Sequence, residues 1–481
     1  MANKKDEERL SYMLGLLGRK RESQFRVDPK DQEQPGDDSE YEDIYTNHQK
    51  RDMIQRIANP EYAFNPVASL IEDHYVSATR NTQEDTEMDI LEAYKENPKL
   101  HFDRDSHLNY IKRSLESKLP HYYKSLDANH PWMMYWLANS YSLISDEPLF
   151  SDIKELINDK ITRCIVRDGL GGIAGGSNQI GHAASTYAGI LALVSTENYE
   201  LLDKIRPNLY KWYMSLKLPN GSFRMHVNGE SDTRSTYCVL SVAALLNITS
   251  EELVEGTAEW LQTCQTYEGG FAGVPNTEAH GGYTYCALAS YFLLYSHKKE
   301  FSKENSFDVD GLVRWAVMRQ YGIEGGLSGR TNKLVDACYS FWIGALYPLL
   351  ESITDQSDLF SREALGHYIL RCSQSQKGGF RDKPGTSVDF YHTNYTLCGF
   401  SICESYFTLE DKEEKEDKEE KEGKEEKEDN PQKPLAFALK YKLVKGDISL
   451  TKVINPVYGI PFELAQACRS YFITKDHENA S

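Results

Sequence analysis

Two potential metal ligands, Asp336 and Cys338, lie two positions apart in the stretch NKLVDACYSFW (332–342). In an α-helix, residues i and i+2 point about 200° apart, so both side chains could bind one ion only where an extended chain turns into a helix. The stretch therefore implies a loop-to-helix junction. Taken alone, it is more typical of an ordinary helix start, with Asp336 as the cap and Cys338 as a small buried residue.

Other chemically active side chains occur at comparable places, just before or within the first turn of apolar segments. The full set is His182, Arg234, His280, Asp336 with Cys338, and His392. Helix N-termini carry partial positive charge and unpaired N–H groups, so N-termini that converge would favour an anion. His392 alone would be read as a hydrogen-bonded core histidine. Together with Asp336 and Cys338 it completes an O, S and N ligand set that suits zinc with an open fourth position.

Two further groups of side chains accompany this set. The first could bind an anion and comprises His280, Arg330, Lys333 and Tyr339, although Arg330 and Lys333 could equally belong to a solvated loop. The second is aromatic and comprises Trp132, Tyr135, Trp136, Tyr187, Tyr237, Tyr283 and Trp342. Most aromatic residues are core, but several of these begin apolar segments and could line a deep tunnel. A thiolate-binding metal, a diphosphate-sized anion pocket and an aromatic tunnel together describe isoprenoid transfer from a diphosphate to a thiol.

Glycine-centred turns recur about every fifty residues, which predicts stacked supersecondary units. They are RDGLGGIAGG (167–176), LPNGSFRM (218–225), TYEGGFAGV (266–274), GIEGGLSGR (322–330) and SQKGGFRDK (375–383). Each precedes a segment that is apolar on nearly every face, as expected of a helix buried on both sides. These segments are 185–195, 235–248, 283–295, 338–350 and 394–403.

More amphipathic segments lie between the apolar ones, for example 256–265 and 362–374. The pattern predicts about six pairs of inner and outer helices. Closing the array into an α/α barrel removes exposed ends, whereas an open solenoid would need polar capping repeats. We therefore expect an all-α, α/α toroid in which the inner helices are parallel. Their N-termini, and the reactive side chains found there, would meet at one mouth.

Composition limits the class of protein. The 481 residues are 40% hydrophobic and 26% charged, enough to bury a large core in one domain or two. A formal net charge of −19 argues against nucleic acid as a partner. The N-terminus MANKKDEERL lacks the apolar core of an export signal, and no apolar run could span a bilayer, so we expect a cytoplasmic protein without a membrane span. The nine scattered cysteines fit reduced thiols.

Four motifs give the chain a resemblance to the β subunits of protein farnesyltransferases, in the protein prenyltransferase family. They are HPWMMYW (130–136), EAHGGYTYC (278–286), GRTNKLVDACYSFW (329–342) and DKPGTSVDFYHTNY (382–395). The resemblance runs from about His107 to Leu409, with a fainter match at NPVYGI (455–460). It implies zinc-dependent transfer of a farnesyl group from farnesyl diphosphate to the cysteine of a C-terminal C-a-a-X motif in protein substrates such as small GTPases.

The resemblance also implies roles for individual residues. Asp336, Cys338 and His392 match the zinc ligands, with one zinc per β subunit. The residues expected to contact the isoprenoid diphosphate are His280, Arg330, Lys333, Tyr339, Trp132, Tyr135, Tyr187, Tyr237, Tyr283, Cys286, Trp342 and Tyr395. The residues expected to contact the peptide are Trp132, Trp136, His182, Ala184, Arg234 and Tyr391. The residues expected to act in catalysis are Lys333, Tyr339, Asp382 and Tyr391, with Asp382 matching the carboxylate linked to Mg²⁺ and the diphosphate.

Family members are heterodimers, so the resemblance implies a helical-repeat α subunit as partner. The nearest rival is the β subunit of type I geranylgeranyltransferase. Two features favour the farnesyl enzyme: the bulk of Trp132 and Tyr395, which would shorten the tunnel, and the presence of Asp382. A second rival is a non-catalytic toroid that only binds proteins, against which the retention of every proposed ligand argues. A terpene cyclase would need an Asp-rich D-x-D-D motif, which the sequence lacks.

We predict four regions along the chain. Residues 1–100 form a partly flexible N-terminal extension, and residues 101–409 form the α/α-barrel prenyltransferase domain. Residues 410–433 are a charged insertion whose tract EDKEEKEDKEEKEGKEEKED (410–429) cannot bury a core. Residues 434–481 complete the barrel.

Overall fold

The computed structural model describes residues 78–119, 121–167, 171–301, 306–354, 356–410, 433–445 and 449–480. Most of the predicted N-terminal extension and nearly all of the charged insertion lie outside the described residues. The described part divides into two units. The smaller contains residues 78–94 and Gly322–Glu324, and in it the Tyr94 hydroxyl of helix α1 (Ala78–Glu96) donates to the Glu324 carbonyl at 2.5 Å. The larger unit contains Lys95–Tyr321 and the residues from Gly325 onward, and it carries the features that follow.

The larger unit is built from helices with a few short strands. Its helices are α2 (Arg104–Glu116), α3 (His130–Ile144), α4 (Ser151–Cys164), α5 (Ala183–Ser195), α6 (Tyr199–Leu216), α7 (Thr233–Leu245), α8 (Glu251–Val254), α9 (Thr257–Thr263), α10 (Gly281–Leu294), α11 (Val309–Val317), α12 (Tyr339–Trp342), α13 (Leu346–Ile353), α14 (Arg362–Tyr368), α15 (Phe390–Cys403), α16 (Leu435–Ala438) and α17 (Phe462–Ala480). A π-helical turn, Ile369–Ser373, extends α14. Along the described part of the chain, no helix combines the length and the apolarity needed to cross a bilayer.

The inner helices form a closed ring. Helices α3, α5, α7, α10, the α12–α13 pair and α15 pack against one another in this order, and α15 packs back against α3. Residues 185–195 of α5 are all buried, as expected of a helix covered on both sides. The outer helices bury one stripe only: in α4 it consists of Ile153, Ile157, Ile161 and Cys164. The predicted α/α toroid is therefore confirmed.

The five glycine-centred turns share one conformation, which defines five repeats. After the glycine, one residue of each turn forms an isolated antiparallel β-bridge with a residue that follows the preceding outer helix. We call this residue of the turn the bridge residue. The bridge residues are Ile173, Phe223, Phe271, Leu327 and Phe380. Five positions later, each repeat has a residue with positive φ: Asn178, Asn228, Asn276, Asn332 and Gly385. Asparagine and glycine adopt this backbone region most readily, so the repeat has a local physical origin.

The turns also join each repeat to the next outer helix. A Cβ on Gly221 would lie 2.0 Å from the Gly256 carbonyl oxygen, and one on Gly269 would lie 2.1 Å from that of Gly311. In the fifth repeat, a Cβ on Gly378 would lie 2.1 Å from the carbonyl oxygen of Ser106 in α2. The last turn therefore packs on the first outer helix, which closes the outer layer as well.

Two short antiparallel pairs of strands were not expected from the sequence. Strand β1 (Ser405–Leu409) pairs with β2 (Leu439–Leu443), with Leu409 opposite Leu439, and β3 (Ile454–Asn455) pairs with β4 (Ile460–Pro461). The residues between β1 and β2 include the charged tract, so this insertion leaves and rejoins the larger unit at one end of a two-stranded sheet.

The C-terminal segment between β3 and β4 is held by side chains from the inner ring. The Tyr237 and Tyr285 hydroxyls each donate to the Val457 carbonyl at 2.7 Å, and the Tyr187 hydroxyl donates to the Tyr458 carbonyl at 3.2 Å. The Gly459 carbonyl accepts hydrogen bonds from the Tyr135 hydroxyl at 3.2 Å and the Asn139 amide at 2.8 Å. Donors from α3, α5, α7 and α10 thus converge on three consecutive carbonyls, and the irregular backbone inside the ring has hydrogen-bond partners.

Candidate metal centre and active site

The Asp336–Cys338 stretch is the predicted loop-to-helix junction. Asp336 precedes the helix, Cys338 lies in the turn that begins it, and the Asp336 carboxylate accepts a hydrogen bond from the Cys338 N–H at 2.8 Å. The apolar run 338–350 is not one continuous helix, because a turn at 343–345 separates α12 from α13. There the Gly344 N–H reaches back five residues to the Tyr339 carbonyl at 3.1 Å, which interrupts the regular α-helical pattern.

The three predicted metal ligands lie together. Asp336, Cys338 and His392 each offer one ligand atom, and these atoms lie within 4.8 Å of one another. Asp336 and Cys338 precede and begin α12, whereas His392 comes from the first turn of α15, so packing of α12 on α15 assembles the set. The Nε2 atom of His392 lies 3.2 Å from Asp336 Oδ1.

Asp389 orients the His392 ring. Its Oδ1 accepts the His392 backbone N–H at 2.7 Å, and its Oδ2 lies 2.6 Å from His392 Nδ1. Since a carboxylate only accepts, Nδ1 carries a proton, and Nε2 faces Asp336 and Cys338. This carboxylate–histidine arrangement typically accompanies metal ligation. Asp389 was not predicted from the sequence; the spacing D-x-x-H could have indicated it but is also typical of an ordinary helix cap.

The protonation of His392 and Cys338 depends on burial and on the neighbouring carboxylates. His392 Nε2 is buried and faces Asp336 Oδ1 at 3.2 Å. Burial alone would lower the pKa of His392. Asp336 and Asp389 outweigh this effect, through their hydrogen bonds to the ring and through their negative charges, and raise the pKa to about 10. Burial, and then Asp336, raise the pKa of the Cys338 thiol well above its usual value. A carboxylate, an imidazole and a thiol that meet in this way fit a divalent cation such as zinc, which would replace the Nε2 and thiol protons on binding.

Asp382 lies beside the ligands. Its carbonyl accepts the Ala337 N–H at 3.0 Å and the Tyr368 hydroxyl at 2.9 Å, which fixes the loop next to the Asp336–Cys338 turn. Its carboxylate pairs with Lys383 through Oδ2, and Oδ1 is buried without a hydrogen-bond partner in the described part of the chain. Burial and the nearby Asp336 raise the pKa of Asp382, although Lys383 opposes this. The contact with Lys383 was not predicted from the sequence.

His280 and Tyr339 form a fixed pair. His280 Nδ1 caps α10 by accepting the Gly282 N–H at 3.0 Å, and burial followed by Arg330 lowers the pKa of His280. The neutral ring therefore carries its proton on Nε2, which lies 3.1 Å from the Tyr339 hydroxyl oxygen and donates to it. As a result, the Tyr339 hydroxyl proton is available for another acceptor. Arg330 is partly exposed and paired with Glu278 at 2.6 Å, and Lys333 is exposed.

The predicted aromatic residues lie around the interior of the ring of inner helices. The Trp132 ring lies 5.7 Å from Trp136 and 5.8 Å from Tyr187. Trp342 lies 4.4 Å from Tyr395, and its Nε1–H donates to the Tyr391 hydroxyl at 2.9 Å. Tyr391 is also 5.0 Å from the His392 ring, so it joins the aromatic cluster to the metal ligands.

The residues predicted to contact the isoprenoid differ in how deeply they are buried. Tyr135, Tyr187, Tyr237 and Tyr395 are almost fully buried, and Cys286 is buried close to Arg234. Tyr283, in contrast, is half-buried between the His280 ring and the Arg234 guanidinium, each centred 5.4 Å from it. Tyr285, which was not predicted from the sequence, points inward with Tyr237. The step from Tyr283 to Tyr285 turns the side chain about 200° around α10, which explains the difference.

Three of the residues predicted to contact a peptide, His182, Ala184 and Arg234, lie at the starts of inner helices. His182 Nδ1 accepts the Ala184 N–H at 3.2 Å, and the His182 ring lies 5.6 Å from His226. Arg234 pairs with the Asp232 carboxylate at 2.6 Å, and nearly half of its side chain is exposed.

The five first-turn positions are close in the repeat but not identical. The caps His182, Asp232 and His280, together with Asp336 and Asp389, each follow the bridge residue by nine positions. Arg234 and Cys338 follow it by eleven, and His392 by twelve. Within the fifth repeat, Asp389 rather than His392 is therefore the counterpart of Asp336.

Comparison with known proteins identifies the family and the fold. The family model of the prenyltransferase alpha-alpha toroid domain matches residues 102–460. The chain is 36% identical over 386 residues to the protein farnesyltransferase subunit beta of Schizosaccharomyces pombe, which covers 78% of this chain and 92% of the relative. It is 37% identical over 389 residues to the Saccharomyces cerevisiae subunit of the same name, covering 80% and 84%. Among solved structures, Candida albicans protein geranylgeranyltransferase-I in complex with GGPP matches with a TM-score of 0.59 at 18% identity, covering 78% of this chain and 99% of that one, which supports the fold.

Proposed function

The chain belongs to the prenyltransferase alpha-alpha toroid family and to its protein farnesyltransferase β subunits, and from this we propose that it transfers a farnesyl group from farnesyl diphosphate to the cysteine thiol of a C-terminal C-a-a-X motif. The observation that carries the proposal is the junction of Asp336, Cys338 and His392 with an aromatic cluster through Tyr391. A thiol-binding centre beside an aromatic cluster suits the alkylation of a cysteine by an isoprenoid.

The metal centre would bind one zinc ion through Asp336, Cys338 and His392. Zinc at this position would lower the pKa of the substrate cysteine and hold it as a thiolate. Asp389 keeps the His392 Nε2 lone pair directed at the ion, and the buried surroundings limit competing water.

The diphosphate would bind near His280 and Tyr339. The His280 Nε2–H fixes the Tyr339 oxygen, so the Tyr339 O–H can donate to a phosphate oxygen as negative charge develops on the leaving group. Arg330 and Lys333 would add positive charge from the rim, with Arg330 exchanging its Glu278 partner for phosphate. Asp382, whose buried Oδ1 has no partner in the described part, would help to hold Mg²⁺ with the diphosphate.

The remaining predicted contacts divide between the two substrates. The isoprenoid would lie against Trp132, Tyr135, Tyr187, Tyr237, Tyr283, Cys286, Trp342 and Tyr395. The peptide would lie against Trp132, Trp136, His182, Ala184, Arg234 and Tyr391. Proteins named β subunit imply an α subunit, and we propose that this chain acts in a cytoplasmic heterodimer on C-a-a-X proteins such as small GTPases.

The proposal is tested by co-expressing the full chain with the α subunit of a related farnesyltransferase. The assay measures transfer from farnesyl and geranylgeranyl diphosphate to C-a-a-X peptides that differ in the last residue. We expect zinc-dependent transfer with a higher kcat/KM for farnesyl diphosphate. A preference for the longer donor would favour a type I geranylgeranyltransferase, and a stable complex without transfer would favour a binding module.

A further inference from the structure

Helices α12 and α15 approach each other at Ser340 and Gly399 more closely than any side chain at position 399 would allow. An ideal Cβ on Gly399 would lie 2.2 Å from the Ser340 Cβ, 2.4 Å from its carbonyl carbon and 2.6 Å from its carbonyl oxygen. Contacts of this length are shorter than nonbonded atoms tolerate, so any larger residue would force the two segments apart.

This approach is peculiar to one place in the ring. Gly399 follows its bridge residue by nineteen positions, and the residues at that position in the other repeats are Ala192, Val242, Ser290 and Leu346. Ser340 follows its own bridge residue by thirteen positions, where the other repeats all have threonine: Thr186, Thr236, Thr284 and Thr393. The contact between the fourth and fifth repeats therefore has smaller side chains on both sides.

Both members of the contact are linked to metal ligands by short stretches of chain. Ser340 lies two residues after Cys338. Gly399 lies seven residues after His392 on α15, and seven residues are nearly two full turns, so both lie on the same face of the helix. The contact at Ser340–Gly399 is therefore joined to both sides of the proposed metal site.

We propose that Gly399 is a positioning residue for the metal centre: its missing side chain lets α15 come close enough to α12 for His392 to join Asp336 and Cys338 around one ion. This inference rests on the proposed function, because it assumes that these three residues bind the metal. Restoring ordinary contact distances of about 3.5 Å would move the helices apart by roughly 1 Å. Metal sites tolerate ligand displacements of only about 0.2 Å, so such a movement would exclude His392 from the ligand set.

The test measures zinc affinity by chelator competition, with the full chain purified together with its α subunit. Gly399→Ala should weaken zinc binding by about 10- to 100-fold, the loss usually seen when support of a ligand is removed. In a His392→Ala background, the same substitution should change zinc affinity by less than about threefold, because the ligand on which it acts is already gone. The cobalt-substituted Gly399→Ala protein should have the absorption spectrum of the His392→Ala protein.

Gly366→Ala is the matched control. Gly366 also lies in a helix, α14, but a Cβ there would meet only the Phe400 ring at 3.9 Å, an ordinary contact. This variant should keep wild-type zinc affinity. Ser340→Thr is a second, milder probe, since it introduces the residue that the other four repeats accept while adding a methyl group at the contact; it should weaken zinc binding in the same direction.

Three results would overturn the inference. Equal losses from Gly399→Ala in the wild-type and His392→Ala backgrounds would show a general structural effect. Unchanged zinc affinity in both Gly399→Ala and Ser340→Thr would show that the helix separation does not matter. If wild-type zinc content does not depend on Cys338 and His392, the proposed centre fails and this inference fails with it; the first two results leave the proposed function intact.

Discussion

The third and fourth repeats begin with the same turn and differ in the inner helix that follows. In the third repeat, His280 caps α10, which continues without a break to Leu294. The Thr284 hydroxyl oxygen accepts a hydrogen bond from the Phe271 N–H at 2.9 Å. In the fourth repeat, the Asp336 carboxylate accepts a hydrogen bond from the Cys338 N–H, but the helix ends at Trp342. The Ser340 hydroxyl has no hydrogen-bond partner in the described part of the chain.

The regular and the interrupted inner helices have different roles. A regular inner helix builds the wall of the barrel, and its polar cap stabilises the N-terminus. In the fourth repeat, the chain is not yet helical at Asp336 and turns at Ala337 and Cys338, so the side chains nine and eleven positions after the bridge residue face one point. The repeat that departs from the pattern is therefore the one that supplies two of the three proposed metal ligands.

Cys338→Ala should give the largest effect and would break the comparison directly. Without the thiolate ligand, we expect loss of turnover and loss of most bound zinc, while binding of farnesyl diphosphate largely survives because the aromatic cluster and the His280–Tyr339 pair remain. Zinc content by elemental analysis and isoprenoid binding by fluorescence measure the two parts. Cys264→Ala removes an equally buried thiol from the third repeat and should leave zinc content unchanged. Full zinc occupancy in Cys338→Ala would contradict the assignment.

The aromatic residues of the inner helices show the same asymmetry, which a change of donor selectivity would test. Fifteen positions after the bridge residue, the first three repeats have Ala188, Cys238 and Cys286, whereas the last two have Trp342 and Tyr395. The large side chains thus belong to α12 and α15, the inner helices that carry the proposed metal ligands.

Trp132→Thr combined with Tyr395→Phe should shift preference toward the twenty-carbon donor. Forcing another isoprene unit into a filled site costs roughly 1–3 kcal/mol, which corresponds to about ten- to two-hundred-fold in selectivity. The measurement is the ratio of kcat/KM for the two donors with one peptide, and zinc content serves as the control. If the double variant keeps the parent's ratio, these side chains do not limit donor length.

Asp389→Asn would test whether a cap in the fifth repeat has become a support for a ligand. Asparagine can still cap α15, so helix stability should change little, but the charged partner of His392 Nδ1 is lost. We expect about 10- to 100-fold weaker zinc binding. Asp232→Asn changes the corresponding cap of the second repeat and should not alter zinc affinity. Equal effects of the two substitutions would mean that Asp389 is only a cap.

Asp382→Lys should affect the metal requirement of the diphosphate rather than zinc. A lysine amine at this position supplies the positive charge that Mg²⁺ would otherwise bring, so transfer should become nearly independent of magnesium. The neighbouring Lys383 already pairs with Asp382, and Lys383→Ala is therefore the control: it should retain the magnesium dependence. The measurement is the transfer rate over a magnesium titration, and an unchanged dependence in Asp382→Lys would exclude the role.

Local patterns account for what could be predicted. The glycine turns and caps come from short-range backbone preferences, so the repeat, the ring and the junction at Asp336–Cys338 were predictable. The break at 343–345 was not, because the apolar run continues through it and only close packing reveals it. The hydrogen bonds to 457–459 were equally hidden, since they join tyrosines to carbonyls more than 170 residues away.

Gly385→Asn should have the smallest effect and would sharpen the comparison among turns. The four other repeats place asparagine here with φ between 57° and 65°, whereas Gly385 has a φ of 82°, and a Cβ added to it would meet no atom within 4 Å. Asparagine is compatible with this conformation and restricts the unfolded chain, so we expect a gain of about 0.4–1 kcal/mol in unfolding free energy. Gly221→Asn is the contrasting variant: φ is 88°, but the added Cβ would lie 2.0 Å from the Gly256 carbonyl oxygen and should destabilise the protein strongly. Thermal midpoints of the two variants measure the difference. A loss of stability in Gly385→Asn would show that the fifth turn does not share the conformational requirement of the other four.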